Sequence, residues 1–550
     1  MRRLKENVDG SFRVKAYAGA SGVLLGFDLD ESRREGLLGF AIEEKNDAHD
    51  WRWLLSSLTF EGRQHTLRKF KATPSNLAPI QKFRWADYTV EPGQTCHYRI
   101  YPVYGSPADP QLGERLQLKV TADDGKPKRH RVLFNRAVAA SQAFGRNFPE
   151  LDAMLRENPK LSIDKWPDEP RAWLENGLLQ GILEFIAEAE GPGWALDVAI
   201  YEYELGEIVR AIDAAHKRGV DVRVLYHAKT KDEQTEENMH SLRRIPKSRK
   251  RGRRTSKIFH HKFVVLSRLN ADGERVPKRV LCGSTNFTEN GVYRQANVVH
   301  LCAEPAIAAD YLDLFEMIWE APEDVAASRA WIDEHNPIRD DRMVFAGFSP
   351  RSGQVDLDEF VAVIGQAKRD LLFATAFQLP ERILDALLGK AGGDVLRYGV
   401  QNTSSRITGY HTDRSADFVA PAFLKNGLEG WIKEGLRGQR GRLLIHTKAV
   451  VVDFTSDAPS IISGSHNLSV PASSTNDENY LVIRGSTDLA DRYGVEILRF
   501  YDHYRFRYYA KLLQLKQAQP LAGDDRWTRP YFKKGHQKML SRLRFSGREP

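Results

Sequence analysis

Apolar and polar positions alternate over short runs in the first 115 residues, and a strand–helix rhythm follows. The runs FRVKAYAG, GVLLGFDLD and LLGFAIEE carry branched and aromatic residues between Gly, Asp and Ser breakers, which predicts strands. Tyr88 to Thr95 then pass through Pro92-Gly93 into His97-Tyr98-Arg99-Ile100-Tyr101, a turn followed by an alternating strand. A small all-β sandwich is expected over residues 1–120.

Beyond residue 130 the period changes. Leu196 to Tyr201 forms a strand pattern. Ile208, Ala211, Ile212 and Ala215 then share one helical face, which Arg218-Gly219 closes before the strand Val220–Tyr226. This is a βαβ unit with parallel strands. The order recurs in Leu371–Phe377, Pro380–Leu388 and Asp394–Val400. The predicted fold class is α/β: two halves, 136–335 and 336–515, related by a pseudo-twofold axis, with a basic tail at 516–550. The repeat is far too long for a solenoid.

Matching chemistry sits at matching places in the halves. The first reads Ile258-Phe259-His260-His261-Lys262-Phe263-Val264-Val265-Leu266, then Gly283-Ser284-Thr285-Asn286. The second reads Leu443-Leu444-Ile445-His446-Thr447-Lys448-Ala449-Val450-Val451-Val452-Asp453, then Gly464-Ser465-His466-Asn467. On a strand, residues i and i+2 share a face, so each His-x-Lys points one imidazole and one ammonium the same way. A neutral imidazole can attack phosphorus, and a protonated one can protonate a leaving oxygen. Lys262, Lys448, Ser284, Ser465, Asn286 and Asn467 can hold the non-bridging oxygens as charge develops. No metal or cofactor is needed for charge that two lysines already balance.

The paired motifs resemble the phospholipase D superfamily, whose signature is a repeated His-x-Lys-x4-Asp with Gly-Ser-x-Asn downstream. The resemblance covers both α/β halves and implies a metal-independent phosphodiesterase acting through a covalent phosphohistidine. It assigns His260, Lys262, Ser284 and Asn286 to meet His446, Lys448, Ser465 and Asn467. Two departures appear: the family's Asp is Asp453 in half two but Ser267 in half one, and the family's Glu before an Asn is Glu478 in half two but Ala296 in half one. On that reading half two is the complete copy. A carboxylate-bonded imidazole is the better nucleophile, so His446 is expected to attack and His260 to act as the general acid. The stretch Tyr88–Tyr101 is similar to the late turn and strand of a fibronectin type III or immunoglobulin-like domain, which would serve docking or dimerisation to a protein partner.

Composition narrows the substrate. The 550 residues hold 81 Lys+Arg and 73 Asp+Glu, a formal charge of +8. Residues 243–257 hold nine Lys/Arg and no acid, so this segment alone exceeds the net charge. It ends three residues before His260. Arg249, Lys250, Arg251, Arg253, Arg254 and Lys257 are therefore expected to bind a polyanion at the rim of the site, with a weaker echo in Lys433, Arg437, Arg440 and Arg442. Nucleic acid is the first expected substrate. Phospholipid head groups are the alternative, and a catalytically decayed binding scaffold is the second alternative. The interleaved aromatics and arginines of Phe500–Tyr509 fit a helical core stripe better than a stacking platform.

Other classes are excluded. The cysteines Cys96, Cys282 and Cys302 form neither a disulfide framework nor a CxxC zinc pattern, which fits a cytoplasmic, reducing compartment. No apolar run reaches membrane-spanning length, and the charged start Met1-Arg2-Arg3 is not a secretory signal. Gly389-Lys390 and Gly125-Lys126 are followed by Ala391 and Pro127, so there is no phosphate-binding P-loop, and no GxSxG is present.

Overall fold

Strands with one apolar face must cover it, and the N-terminal strands do so against one another. In the computed structural model, the strands Arg3–Glu6, Phe12–Ala18, Val23–Leu29 and Arg84–Asp87 form one antiparallel sheet. Asp109–Leu112, Thr95–Ser106, Gly39–Asn46 and His49–Trp53 form a second, with Leu116–Thr121 also paired to Thr95–Ser106. Phe12 and Phe27 of the first sheet pack with Phe40, Tyr98 and Ile100 of the second. The described residues are 2–56, 58–62, 73–124, 129–136, 144, 147–158, 161–389, 393–402, 407–411, 416–419, 445–512 and 520–549.

The expected basic tail folds back. The C-terminal helix Gln537–Ser546 lies on the strand Val23–Leu29 so closely that a Cβ at Gly26 would sit 2.3 Å from the Phe545 carbonyl oxygen. Trp527 and Tyr531 join the N-terminal core, while Arg542 and Arg548 ion-pair with Asp28. Arg526, Arg542, Arg544 and Arg548 are held by this chain's own acids.

The two α/β sheets share one strand path. Half one contains β1 (His130–Phe134), β2 (Trp194–Ile200), β3 (Asp221–His227), β4 (Lys250–Arg253), β5 (Lys262–Leu269), β6 (Arg275–Gly283) and β7 (Val298–Cys302), in the order β1-β7-β6-β5-β2-β3-β4. Half two contains β8 (Val344–Ser349), β9 (Asp370–Thr375), β10 (Leu396–Asn402), β11 (Ile407–His411), β12 (Ala416–Val419), β13 (Ala449–Val452), β14 (Ser460–Gly464) and β15 (Glu478–Arg484), in the order β8-β15-β14-β13-β9-β10-β11-β12. In each, the central pair is parallel (β2 with β3, β9 with β10) and the strand on its inner side, β5 or β13, is antiparallel; at the outer side β4 joins β3 in parallel, whereas β11 joins β10 antiparallel.

Helices α1 (Pro305–Glu320) and α2 (Thr487–Leu512) supply a core common to both halves. Tyr311, Phe315 and Ile318 pack with Tyr493, Ile497, Phe500 and Tyr501 and with inward residues of both sheets. Separate clusters cover the outer faces. Sheets buried on both sides explain the unbroken apolar runs Val264-Val265-Leu266 and Val450-Val451-Val452. The core stripe expected for α2 is present in Phe500, Tyr501 and Tyr504; the side chains of 506–510 lie outside the described residues.

Two backbone contacts lock the halves together: His260 N–H donates to Asp477 O, and His446 N–H donates to Ala296 O, both at 2.9 Å. Beside the first, Arg253 is 0% exposed and clasps both oxygens of Asp477 at 2.9 and 3.1 Å, with further bonds to Ser328 and the Pro322 carbonyl. Removing one partner of such a buried pair costs about 3–5 kcal/mol. Arg253→Ala should therefore lower the unfolding free energy by an amount in that range, read as a lower urea midpoint with the slope of the transition unchanged. Unaltered stability would contradict the clasp.

Candidate active site

The crossed contacts decide which side chains meet. Each histidine precedes its strand by two or three residues and leans on the loop that leads into the other half's last strand. Asp477 and Ala296 make the bridges, so the next residues, Glu478 and Asn297, face the histidines. His260 Nδ1 lies 2.6 Å from Glu478 Oε2. His446 Nδ1 lies 2.9 Å from Asn297 Oδ1 and 3.1 Å from the Ser284 carbonyl. Asn297 is oriented by its own amide, which donates to Gly291 O at 2.9 Å. All these partners accept, so both imidazoles carry the Nδ1 proton and leave Nε2 open. The ring centroids are 6.5 Å apart.

Two sequence expectations are corrected here. Glu478 was expected to serve His446, its own half's histidine, and it bonds His260 across the interface. Ala296 was expected in the glutamate's place. The pairings Gly283–Val299 and Gly464–Tyr480 instead align Asn297 with Glu478, and Ala296 with Asp477. Half one therefore carries an amide where half two carries a carboxylate.

The Gly-Ser-x-Asn turns explain themselves sterically. A Cβ at Gly283 or Gly464 would approach the Val298 or Asn479 carbonyl oxygen to 2.3 Å, so only glycine lets the turn close on the next strand. Ser284 Oγ then donates to Asn297 Oδ1 at 2.8 Å, and Ser465 Oγ donates to Glu478 Oε2 at 2.7 Å. The serines position the histidines' partners. Lys262 Nζ donates to the His260 carbonyl at 3.0 Å and Lys448 Nζ to the His446 carbonyl at 2.7 Å. Each ammonium is thus tethered beside its imidazole with donors left over. Asn286 is buried and Asn467 half-buried.

Asp453 stands apart from this group. It caps a turn at the far end of β13, where Oδ1 accepts the backbone N–H groups of Lys368, Arg369 and Asp370 at 2.9, 2.7 and 3.3 Å. Ser267, its counterpart, therefore removes no group from the site. His261 faces the other way, between Phe259 and Phe263, with Nδ1 3.4 Å from Asn479 Oδ1.

The basic run is largely spent on structure. Pairing β4 to β3 draws Lys250–Arg253 into the sheet edge. Lys250 donates to Leu242 O, and Arg251 bonds the Trp319 carbonyl and covers its ring at 4.5 Å. Arg249 pairs with Asp221, and Arg253 is the buried clasp. Arg254, 68% exposed and 3.8 Å from Glu323, and the exposed Lys257 face solvent. Lys433, Arg437, Arg440 and Arg442 lie outside the described residues.

Sequence reasoning missed Glu202. It follows β2 by two residues, accepts a hydrogen bond from Asn286 Nδ2 and feels the charges of Lys262 and Lys448. Its place beyond the carboxyl end of a parallel strand, where open α/β sheets gather their sites, was the available signal.

Burial shapes the titration. It pushes His260 and His446 well below the ordinary histidine range, with Lys262 and Lys448 adding to the effect. It lowers Lys262 to about 8 and holds Lys448 well below the ordinary lysine range, and it raises Glu478 and Glu202. The resting site therefore holds two neutral imidazoles. Among the described residues, His130, Cys302 and Glu304 have metal-ligand types within 4.8 Å of one another. They sit at the other end of β7 from Asn297. There His130 Nε2 already meets Glu304 at 2.6 Å and His130 Nδ1 meets His300 at 3.0 Å.

The family described as cardiolipin synthase, PLD-like domain, matches residues 182–319, so a PLD-like domain lies at 182–319. Among curated proteins none matches. Solved structures with fold similarity include polyphosphate kinase from Porphyromonas gingivalis, at 12% identity over 55% of this chain and 42% of the kinase, TM-score 0.37. The chain thus spans less than half of that kinase. Phosphatidylserine synthase from Haemophilus influenzae aligns at 13% identity over 62% of this chain and 88% of the synthase, TM-score 0.40. The phospholipase D family member Nuc from Salmonella typhimurium aligns at 21% identity over 26% of this chain and 86% of its own, TM-score 0.21.

Neutral burial of His446 predicts an acid-sensitive fold. Its folded value is depressed, so below the ordinary value of about 6.5 the unfolded chain takes a proton that the folded site refuses, and stability falls as pH drops toward the folded value. His446→Asn should reduce that slope by up to about 1.4 kcal/mol per pH unit. Urea titrations at pH 5, 6 and 7 measure it; identical slopes would contradict the assignment.

Proposed function

We propose that this chain is a metal-independent phosphodiesterase of the phospholipase D type that works through a covalent phosphohistidine on His260. The supporting observation is the 2.6 Å bond between His260 Nδ1 and Glu478, against an uncharged Asn297 at His446. Attack leaves His260 as a cation, and an adjacent carboxylate stabilises that charge and fixes the tautomer. The nucleophile expected from sequence, His446, exchanges roles with His260 because its carboxylate lies on the opposite imidazole.

In the first step the Nε2 lone pair of His260 attacks phosphorus, the P–O bond breaks, and His446, carrying a proton on Nε2, gives it to the departing alkoxide. The incoming phosphate anion favours that protonated form. In the second step neutral His446 takes a proton from water as its oxygen attacks phosphorus. The P–N bond breaks and its electron pair returns to His260. Lys262, Lys448 and the Asn467 amide hold the non-bridging oxygens through both steps.

A nucleic acid is the proposed substrate, drawn in by Arg254 and Lys257, which stand exposed six and three residues before His260. A second reading, phospholipid head-group chemistry, is favoured by the cardiolipin synthase description of the family that matches 182–319. No helix among the described residues is long and apolar enough to cross a membrane.

Purified protein in EDTA, offered single-stranded DNA, RNA, phosphatidylglycerol vesicles and bis(p-nitrophenyl) phosphate, separates these readings. We expect His260→Ala to abolish turnover and the p-nitrophenol burst. His446→Ala should retain the burst, because nitrophenolate leaves without acid, and then stall. Cleavage of vesicle lipid and of no nucleic acid would replace the first substrate reading with the second. A burst lost only in His446→Ala would reverse the two roles.

A further inference from the structure

The two halves treat their phosphate-binding asparagines differently. Register makes Glu202 and Phe377 counterparts: Ala199 pairs with Phe263 directly after Lys262, and Ala374 pairs with Ala449 directly after Lys448. Asn286 and Asn467 are likewise counterparts in the two Gly-Ser-x-Asn turns. On the half-two side Phe377 is 39% exposed, lies 6.0 Å from Lys448 Nζ, and leaves the Asn467 carboxamide with no partner among the described residues. On the half-one side the Glu202 carboxyl takes the hydrogen bond of Asn286 Nδ2. A carboxylate oxygen therefore sits where a non-bridging phosphate oxygen would be received, between the same two lysines.

That arrangement constrains binding. An anionic phosphodiester that approaches Asn286, Lys262 and Lys448 meets a negative charge already in place, at short range in a poorly hydrated cleft. A protonated Glu202 would release Asn286 and offer an O–H donor to the same oxygen. We propose that Glu202 is a proton-linked gate of this site: its carboxylate closes the Asn286 donor to phosphate, and its protonated form opens it. The proposal rests on the phosphodiesterase reading above. One proton enters from solvent when the anion binds and leaves when the product anion departs.

The charged and titratable groups around Glu202 are Lys262 from the β5 approach, Lys448 from half two, and Tyr201 and Glu204 from its own loop. The lysines favour its ionised form, while burial opposes it and prevails. Glu204, raised to about 7 by burial and by neighbours including Glu202, adds further resistance to a second negative charge. Affinity for an oxyanion should accordingly fall as pH rises through the Glu202 value, earlier than loss of the lysine protons alone would require.

Tungstate, doubly charged across neutral pH, is a suitable probe. Calorimetry in two buffers of different ionisation heat counts the protons taken up per tungstate bound. Near pH 7 the wild type should take up about one proton more than Glu202→Gln. The variant should bind tungstate about tenfold more tightly at pH 8, with a flatter pH dependence. Equal proton uptake and parallel pH profiles would overturn the gate while leaving the phosphodiesterase reading standing. Failure of both proteins to bind tungstate or dimethyl phosphate at any pH would overturn that reading, and the gate with it. Wild-type thermal stability in Glu202→Gln serves as the folding control.

Discussion

The geometry of the site depends on a pair of crossed backbone hydrogen bonds, His260 N–H to Asp477 O and His446 N–H to Ala296 O. Each pins a histidine of one half to a loop of the other, just before that half's last strand. Because the next residue, Glu478 or Asn297, turns toward the bridged histidine, the side chain that meets each imidazole comes from across the interface. Neither half could orient its own histidine alone. The shared core between α1 and α2 and the Arg253–Asp477 clasp keep the two sheets at the distance this requires.

A symmetric frame then carries an asymmetric set of groups. Glu478 against His260 and Asn297 against His446 place a carboxyl and an amide at equivalent positions, and Glu202 opposite Phe377 repeats the pattern at the end proposed to bind phosphate. A carboxylate suits a nitrogen that must become cationic by bonding to phosphorus. A neutral amide suits one that must shed its proton readily, because an imidazolium without a counter-charge in a buried cleft is a stronger acid. The substitution in half one is thus read as a division of labour between the proposed nucleophile and the proposed acid.

Much of this was legible in the residues. The His-x-Lys spacing gave a shared strand face, the Gly-Ser-x-Asn turns gave a second strand, and the repeat gave two sheets of one path. What escaped was anything set across the interface. Glu478 and His446 lie in one half, and nothing in their spacing reveals that a backbone bridge delivers Glu478 to His260. Ala296 looked like the missing glutamate because the turn before β7 hides a one-residue offset that strand register resolves. The basic run looked free to meet a polyanion because its acids, Asp221 and Asp477, are distant in sequence. Glu202 carried no motif at all.

The central claim is that the carboxylate, wherever it sits, selects the histidine that carries the phosphoryl group. The most direct measurement moves it. In the double variant Asn297→Glu/Glu478→Asn, the phosphoenzyme formed from a labelled aryl phosphodiester is trapped and the modified residue is located by mass spectrometry. The account predicts the label on His260 in the wild type and on His446 in the exchanged variant. Label on His446 in the wild type, or on the same histidine in both proteins, would contradict it.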